Sequence, residues 1–382
     1  MSAAPQIAHA DTNDLALNRL TFFDGAAVGA PEPAFQFRGG CGTMAANYAQ
    51  CFADNTAFAN LANELGGALA PGLLAPAATI GYNRVYIAYE HSITNINAGS
   101  SLRHWQRGTE GIAASSQGNG TERSRTRVPE VLFASRLHMR HGLPYGFELG
   151  AQGTYLHDSG LVAMGVDIKW APFEGFRTGV GYIPDIAIRG AVNTLVGNQQ
   201  LYLTVVSIDA LISKAITVAG SFSITPYAGL QSLLVFGDST VIDGTPTRSS
   251  SQECSRRDTV YSTDPMTGQT TSSLVCVAGT GTPAGASSDS FNDVVFLPTR
   301  LLRWRPFGGF RIKYGVFTFT SEFIMDATSP TALAGGCGGS GSVPAYCVSG
   351  RPRASNDATR DAVQIDPNFR QFSVNFGVGV TF

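Results

Sequence analysis

Along most of this chain apolar residues recur at every second position, and the positions between them are small, polar or charged. The last twelve residues keep this rhythm unbroken: Phe372, Val374, Phe376, Val378, Val380 and Phe382 alternate with Gln371, Ser373, Asn375, Gly377, Gly379 and Thr381. A period of two belongs to a β-strand, whose successive side chains point to opposite faces. The same rhythm sets Val85, Ile87 and Tyr89 against Arg84, Tyr86 and Glu90 in a strand expected over 79–91. It sets Phe133, Leu137 and Met139 against Arg136, His138 and Arg140, and Phe147, Leu149 and Ala151 against Glu148, Gly150 and Gln152. Val162 to Trp170 puts Asp167 and Lys169 on its polar face. A weaker strand is expected at 175–188, interrupted by Pro184. Others are expected at 200–212, with Asp209 on the polar side, and at 223–236, 290–304 and 309–326.

That makes about ten strands, with room for twelve to fourteen. Short turns are expected at 142–144, 172–175, 214–221 and 305–308, the last at Arg305-Pro306-Phe307-Gly308. Loops, mostly long, are expected near 95–126, 189–198, 237–288 and 327–365. Only the connection at 158–160 breaks the alternation of short and long. Residues 1–77 carry no such rhythm and form a separate N-terminal segment ahead of a strand-rich unit at 78–382. Within it Phe58, Leu61, Leu65 and Leu69 fall at helical spacing, and Pro71 and Pro76 end the helix. The segment is expected either to lie outside the strand-rich unit or to enter it as a plug.

The closing strand, ending on the aromatic Phe382, resembles the last strand of Gram-negative outer-membrane β-barrels. That resemblance implies an all-β, antiparallel up-and-down transmembrane barrel in the outer membrane, with lipid around it. Composition agrees. Charged residues are 14% of the chain, against about 25% in a soluble domain. Mean hydropathy is nonetheless only +0.04, and no apolar run of about 18 residues exists to form a membrane helix. Strands that alternate apolar-out and polar-in average to such values. The net charge of −2 offers no field for nucleic acid. A soluble β-sandwich would alternate too, but it would not put uncharged Phe, Val and Ile faces on nearly every strand.

On a barrel wall the polar parity faces inward. The candidate lumen-lining residues are Arg84, Glu90, Arg136, His138, Arg140, Glu148, Gln152, Asp167, Lys169 and Asp209. Both signs occur on neighbouring strands, so a mutually neutralising ladder is expected, because isolated buried charges are expensive. Arg136, His138 and Arg140 are three successive basic positions that would attract an anion. Ten strands lie near the size at which side chains fill the interior, which argues against a wide diffusion pore.

Six cysteines fall as neighbouring pairs in loop sequence: Cys41 and Cys51, Cys254 and Cys276, Cys337 and Cys347. In an exported protein these read as disulfides, and their spacing suits no metal site. Residues 1–10 lack the basic and apolar regions of a signal peptide, so export implies that this chain is a processed or recombinant form. No catalytic motif, cofactor motif or metal-ligand cluster stands out. His157-Asp158 at a strand end reads as a polar loop tip, and no paired carboxylates accompany it. The expectation is a non-enzymatic barrel passing small or hydrophobic solutes, or else a structural barrel meeting an extracellular partner through disulfide-tied loops.

Overall fold

The computed structural model describes residues 11, 13–23, 51–109, 128–174, 183–219, 222–243, 257–263, 270–276, 293–333, 348–352 and 360–382. Ten long strands form the wall: β1 (Val85–Asn95), β2 (Val131–Gly142), β3 (Phe147–Leu156), β4 (Val162–Phe173), β5 (Asp185–Val196), β6 (Leu201–Ser213), β7 (Phe222–Ser239), β8 (Thr299–Tyr314), β9 (Phe317–Met325) and β10 (Phe372–Thr381). Each pairs antiparallel with the next, and β10 returns to β1, with Ser373 opposite Thr94 and Thr381 opposite Tyr86. The seam is finished by Phe382 N–H donating to the Val85 carbonyl at 2.9 Å. A sheet closed in this way has no unpaired edge, which is the condition for crossing a membrane with strands.

Three boundaries differ from the sequence expectation. The first strand runs 85–95, not 79–91, because Gly81 and Asn83 turn the chain with positive φ of 95° and 56°. The fifth starts just after Pro184 instead of being broken by it, so 189–196 is wall and not loop. The expected turn at 305–308 is the middle of β8, with Pro306 opposite Leu230, and the real turn is at Gly315, φ +58°. Pro and Gly misled there because Pro306 loses only one ladder donor, and the Gly308 and Gly309 backbone pairs normally with both neighbours. The six cysteine side chains, and with them the expected disulfides, lie outside the described residues.

The two wall faces separate cleanly. Leu137, Met139, Leu149, Met164, Val166, Ile168, Trp170, Ile188, Ile208, Trp304, Phe310, Phe319, Phe323, Phe376 and Val378 all stand exposed around the outside. A continuous apolar belt of this kind exceeds what a soluble monomer leaves bare, and it is what hydrocarbon requires. The closed barrel and its lipid-facing belt together place this chain among outer-membrane β-barrels. One end carries the connections 143–146, 174–184, 214–221 and 315–316, and the other carries the long ones (96–130, 240–298, 326–371) beside the short 157–161 and 197–200. By the usual asymmetry the second end faces outward.

At that loop end sits helix α1 (Asn55–Ala68), with all fourteen residues buried. Asp54 caps it, accepting from Ala57 N–H at 3.1 Å. One face packs Phe58, Leu61 and Leu65 into a cluster with the inward side chains Leu203, Leu233, Val235 and Leu301. A helix buried all round must also satisfy its polar face. Asn60 therefore pairs with the backbone of Gln364 and Asp366, and Arg303 donates to the Asn63 carbonyl. Gly66 and Gly67 permit the close approach, since a Cβ on Gly66 would come within 2.6 Å of Val235.

Candidate functional site: the occupied lumen

Below α1 the chain continues as Leu69-Ala-Pro-Gly-Leu-Leu-Ala-Pro-Ala-Ala-Thr-Ile80, two prolines forbidding further helix. This stretch runs down the barrel axis toward β1, and its backbone is held from all sides. Asn193 donates to the Leu69 carbonyl (2.9 Å), Arg136 to Ala70 (2.9 Å), Arg189 to Gly72 (2.7 Å) and Arg311 to Leu74 (3.1 Å). Arg140 donates to the Leu73 carbonyl. Lys169 reaches both Pro76 and Ala78, at 3.3 and 3.2 Å. Near the turn end the polarity reverses: Ser213 Oγ accepts from Ala77 N–H, Glu174 from Thr79 and Glu148 from Ile80. A buried, unpaired backbone would be costly, and the wall supplies its partners one by one.

The same cations are paired along the wall. Arg136 meets Glu90 at 3.3 Å, and His138 bridges Glu90 (3.2 Å) and Asp167 (2.8 Å). Arg189 then joins Asp167 at 3.3 Å to Asp209 at 3.1 Å. Lys169 pairs with Glu148 at 3.2 Å, and Gln152 donates to Asn193. Every group in this chain of contacts is buried. Nine of the ten candidate lining residues thus come together inside. Arg84 does not: it precedes β1, in the exposed turn tied to Gly142, and never reaches the lumen.

Sequence reasoning missed Arg189, Arg303, Arg305, Arg311, Glu322 and Asp326, all buried in the interior. Arg189 fell in a supposed loop and Arg305 in a supposed turn; the others sat on strands whose facing was ambiguous. Arg303 holds Asp326 at 2.5 Å and Gln371 at 2.8 Å, while Glu322 accepts from Tyr227 and Asn375. Glu64 of α1 was unforeseen as well. Its carboxylate binds His104 and Trp105 of helix α2 (His104–Gly108) at 2.8 and 2.7 Å, and accepts from Asn97 N–H at 2.8 Å. One buried carboxylate so fastens the loop after β1 to the lumen helix.

The upstream residues join the same cap. Asn13 N–H donates to the Asp158 carbonyl, Leu17 N–H to Gln200, and Leu15, Leu17 and Leu20 enter the apolar cluster around α1. Inward-facing side chains thus meet an apolar helix in the loop half and a clasped thread in the turn half.

No known protein family and no curated protein matches the chain. Among solved structures it aligns with the KdgM porin in complex with disordered oligogalacturonate, at 8% identity over 78% of this chain and 99% of that one, TM-score 0.25. It also aligns with Ail, the attachment invasion locus protein of Yersinia pestis, in complex with the heparin analogue sucrose octasulfate. There the identity is 6% over 79% of this chain and 100% of that one, TM-score 0.23. The assignment as an outer-membrane barrel rests on the chain's own closure and belt.

Proposed function

We propose that this protein is an outer-membrane barrel closed at rest, acting through its loop end and its wall and not as a standing pore. The observation that supports this is that inward-facing side chains meet a helix in one half and a thread in the other. Phe58, Leu61, Leu65 and Leu69 are fully buried, each contributing about 1.5–3 kcal/mol that withdrawal of α1 would forfeit. The loop end is built as a platform: residues 13–20, α1, α2, the 157–161 and 197–200 connections and the 363–366 stretch meet over one apolar cluster. A rigid cap of that kind suits an extracellular partner.

A second reading is favoured by the thread alone. Its bonds are carbonyl-to-cation contacts that the oxygens of a small polar solute reproduce, so passage follows if a partner draws α1 out. An apolar solute finds no comparable path along this ionic wall. Conductance in planar bilayers separates the readings. The full chain is expected to give no steady current, and removal of residues 1–77 to open one. Steady current through the full chain would overturn the closed-barrel reading.

A further inference from the structure

The outer wall carries one polar cluster that neither closure nor the belt explains. Ser135 has the outward parity of Phe133, Leu137 and Met139, yet it is only 8% exposed, and three side chains hydrogen-bond to its hydroxyl. Its Oγ lies 2.6 Å from His157 Nε2, 3.1 Å from His91 Nδ1 and 3.3 Å from the Tyr89 hydroxyl, which donates to it. Register brings them together: His91 and Tyr155 stand opposite Ser135 on its two neighbours. Tyr89 sits edge-on to His91, and Tyr155 edge-on to His157, which steadies both imidazoles.

We propose that Ser135 and His157 form a nucleophile–base pair on the lipid-facing wall, acting on the acyl ester of a membrane lipid. A hydroxyl becomes a nucleophile when a base within hydrogen-bond reach takes its proton, and 2.6 Å to an imidazole nitrogen is that reach. The serine has one proton. With it directed to His157 Nε2, Tyr89 O–H and His91 Nδ1–H remain as donors around the same oxygen. The place selects the substrate. Ser135 lies four residues from the loop end of β2, about 10 Å along the axis for strands tilted near 40°. His157 stands at the lip. This is the depth at which lipid ester groups meet the hydrocarbon, and Tyr89, Phe133 and Tyr155 mark the aromatic boundary there. An acyl chain entering the leaflet continues over Leu137, Met139 and Leu149, all exposed.

The step balances with water as the second reactant. Ser135 Oγ bonds to the ester carbonyl carbon while its proton passes to His157 Nε2. The carbon–oxygen bond to the lipid breaks, and the departing alkoxide takes that proton, leaving an acyl-serine. Water then attacks the acyl carbon, its proton crosses to His157 and returns to Ser135 Oγ, and a free fatty acid leaves.

The test uses the full chain in detergent, a fluorescent alkyl fluorophosphonate, and mixed micelles of dioleoyl phosphatidylethanolamine. Expected are a covalent adduct mapped to Ser135 by mass spectrometry and release of oleate. Both should fall on the order of a hundredfold in Ser135→Ala and in His157→Asn. Heat-dependent gel mobility reports whether each variant still folds. If Ser135→Ala does not fold, the adduct site in the unaltered chain and the His157→Asn loss decide alone. No adduct at Ser135, or labelling and oleate release unchanged in His157→Asn, would overturn the proposal.

Discussion

The two halves of the lumen are held by opposite kinds of force. In the loop half, α1 is packed like a core helix, with Leu61 and Leu65 fully buried among Leu203, Leu233 and Val235. In the turn half, residues 69–80 bring mostly small or aliphatic side chains into an ionic ring, which grips their backbone instead. Apolar packing is non-directional and tolerates small shifts, whereas a carbonyl held by a buried guanidinium either has its donor or is left without one. The helix is therefore the part of the closure that moves only as a whole. The thread is the part whose partners are exchangeable.

The largest effect should come from breaking the ring's own pairing. Asp167 accepts from both His138 and Arg189. Asp167→Ala leaves Arg189 facing one carboxylate fewer and His138 without one of its hydrogen-bond partners, and removing one partner of a buried pair costs about 3–5 kcal/mol. The check is the thermal midpoint of the heat-dependent gel shift of the folded barrel. A loss under about 1 kcal/mol would mean that water enters the ring, and that the ionic half is not the dry clasp described.

Leu65→Ala probes the other half. Truncating a fully buried leucine costs about 2–5 kcal/mol, according to how far the cavity collapses. The midpoint should fall by a comparable amount while the bilayer current stays at zero, since the thread still fills the turn half. Current appearing in this variant alone would show that α1, not the thread, is the effective seal.

What could be read beforehand follows the same division. The alternating strands announced the barrel, because an outward apolar row and an inward polar row need a strict period of two. Helix α1 was legible too, from Phe58, Leu61 and Leu65 with prolines after them. Its final position was not. A helix bound for a lumen and one lying outside it have the same apolar face, and it is the polar yet buried residues, Asn55, Thr56, Asn60, Asn63 and Glu64, that distinguish this one. Part of the ionic ring was hidden for a related reason. Arg305 stands beside Pro306, and Arg189 shortly after Pro184, and local turn chemistry was read where register decides. Ser135 was invisible in sequence, because its neighbours His91 and His157 come from two other stretches of chain.

The smallest predicted effect sharpens the comparison most. Arg311 donates to the Leu74 carbonyl at 3.1 Å and lies over the Tyr86 ring, 5.3 Å from its centre. Leu74 itself carries a positive φ of 39°, so the thread is bent where this arginine holds it. Arg311→Lys keeps the charge but loses the planar fork, and an ammonium cannot both stack on Tyr86 and reach that carbonyl with the same geometry. Forfeiting one charge-assisted bond costs about 1.5 kcal/mol. If the halves are independently held, amide exchange should quicken around residues 73–76 and stay unchanged in 57–68. If α1 loosens equally, the closure is a single cooperative unit, and the thread's carbonyl contacts are not separately exchangeable.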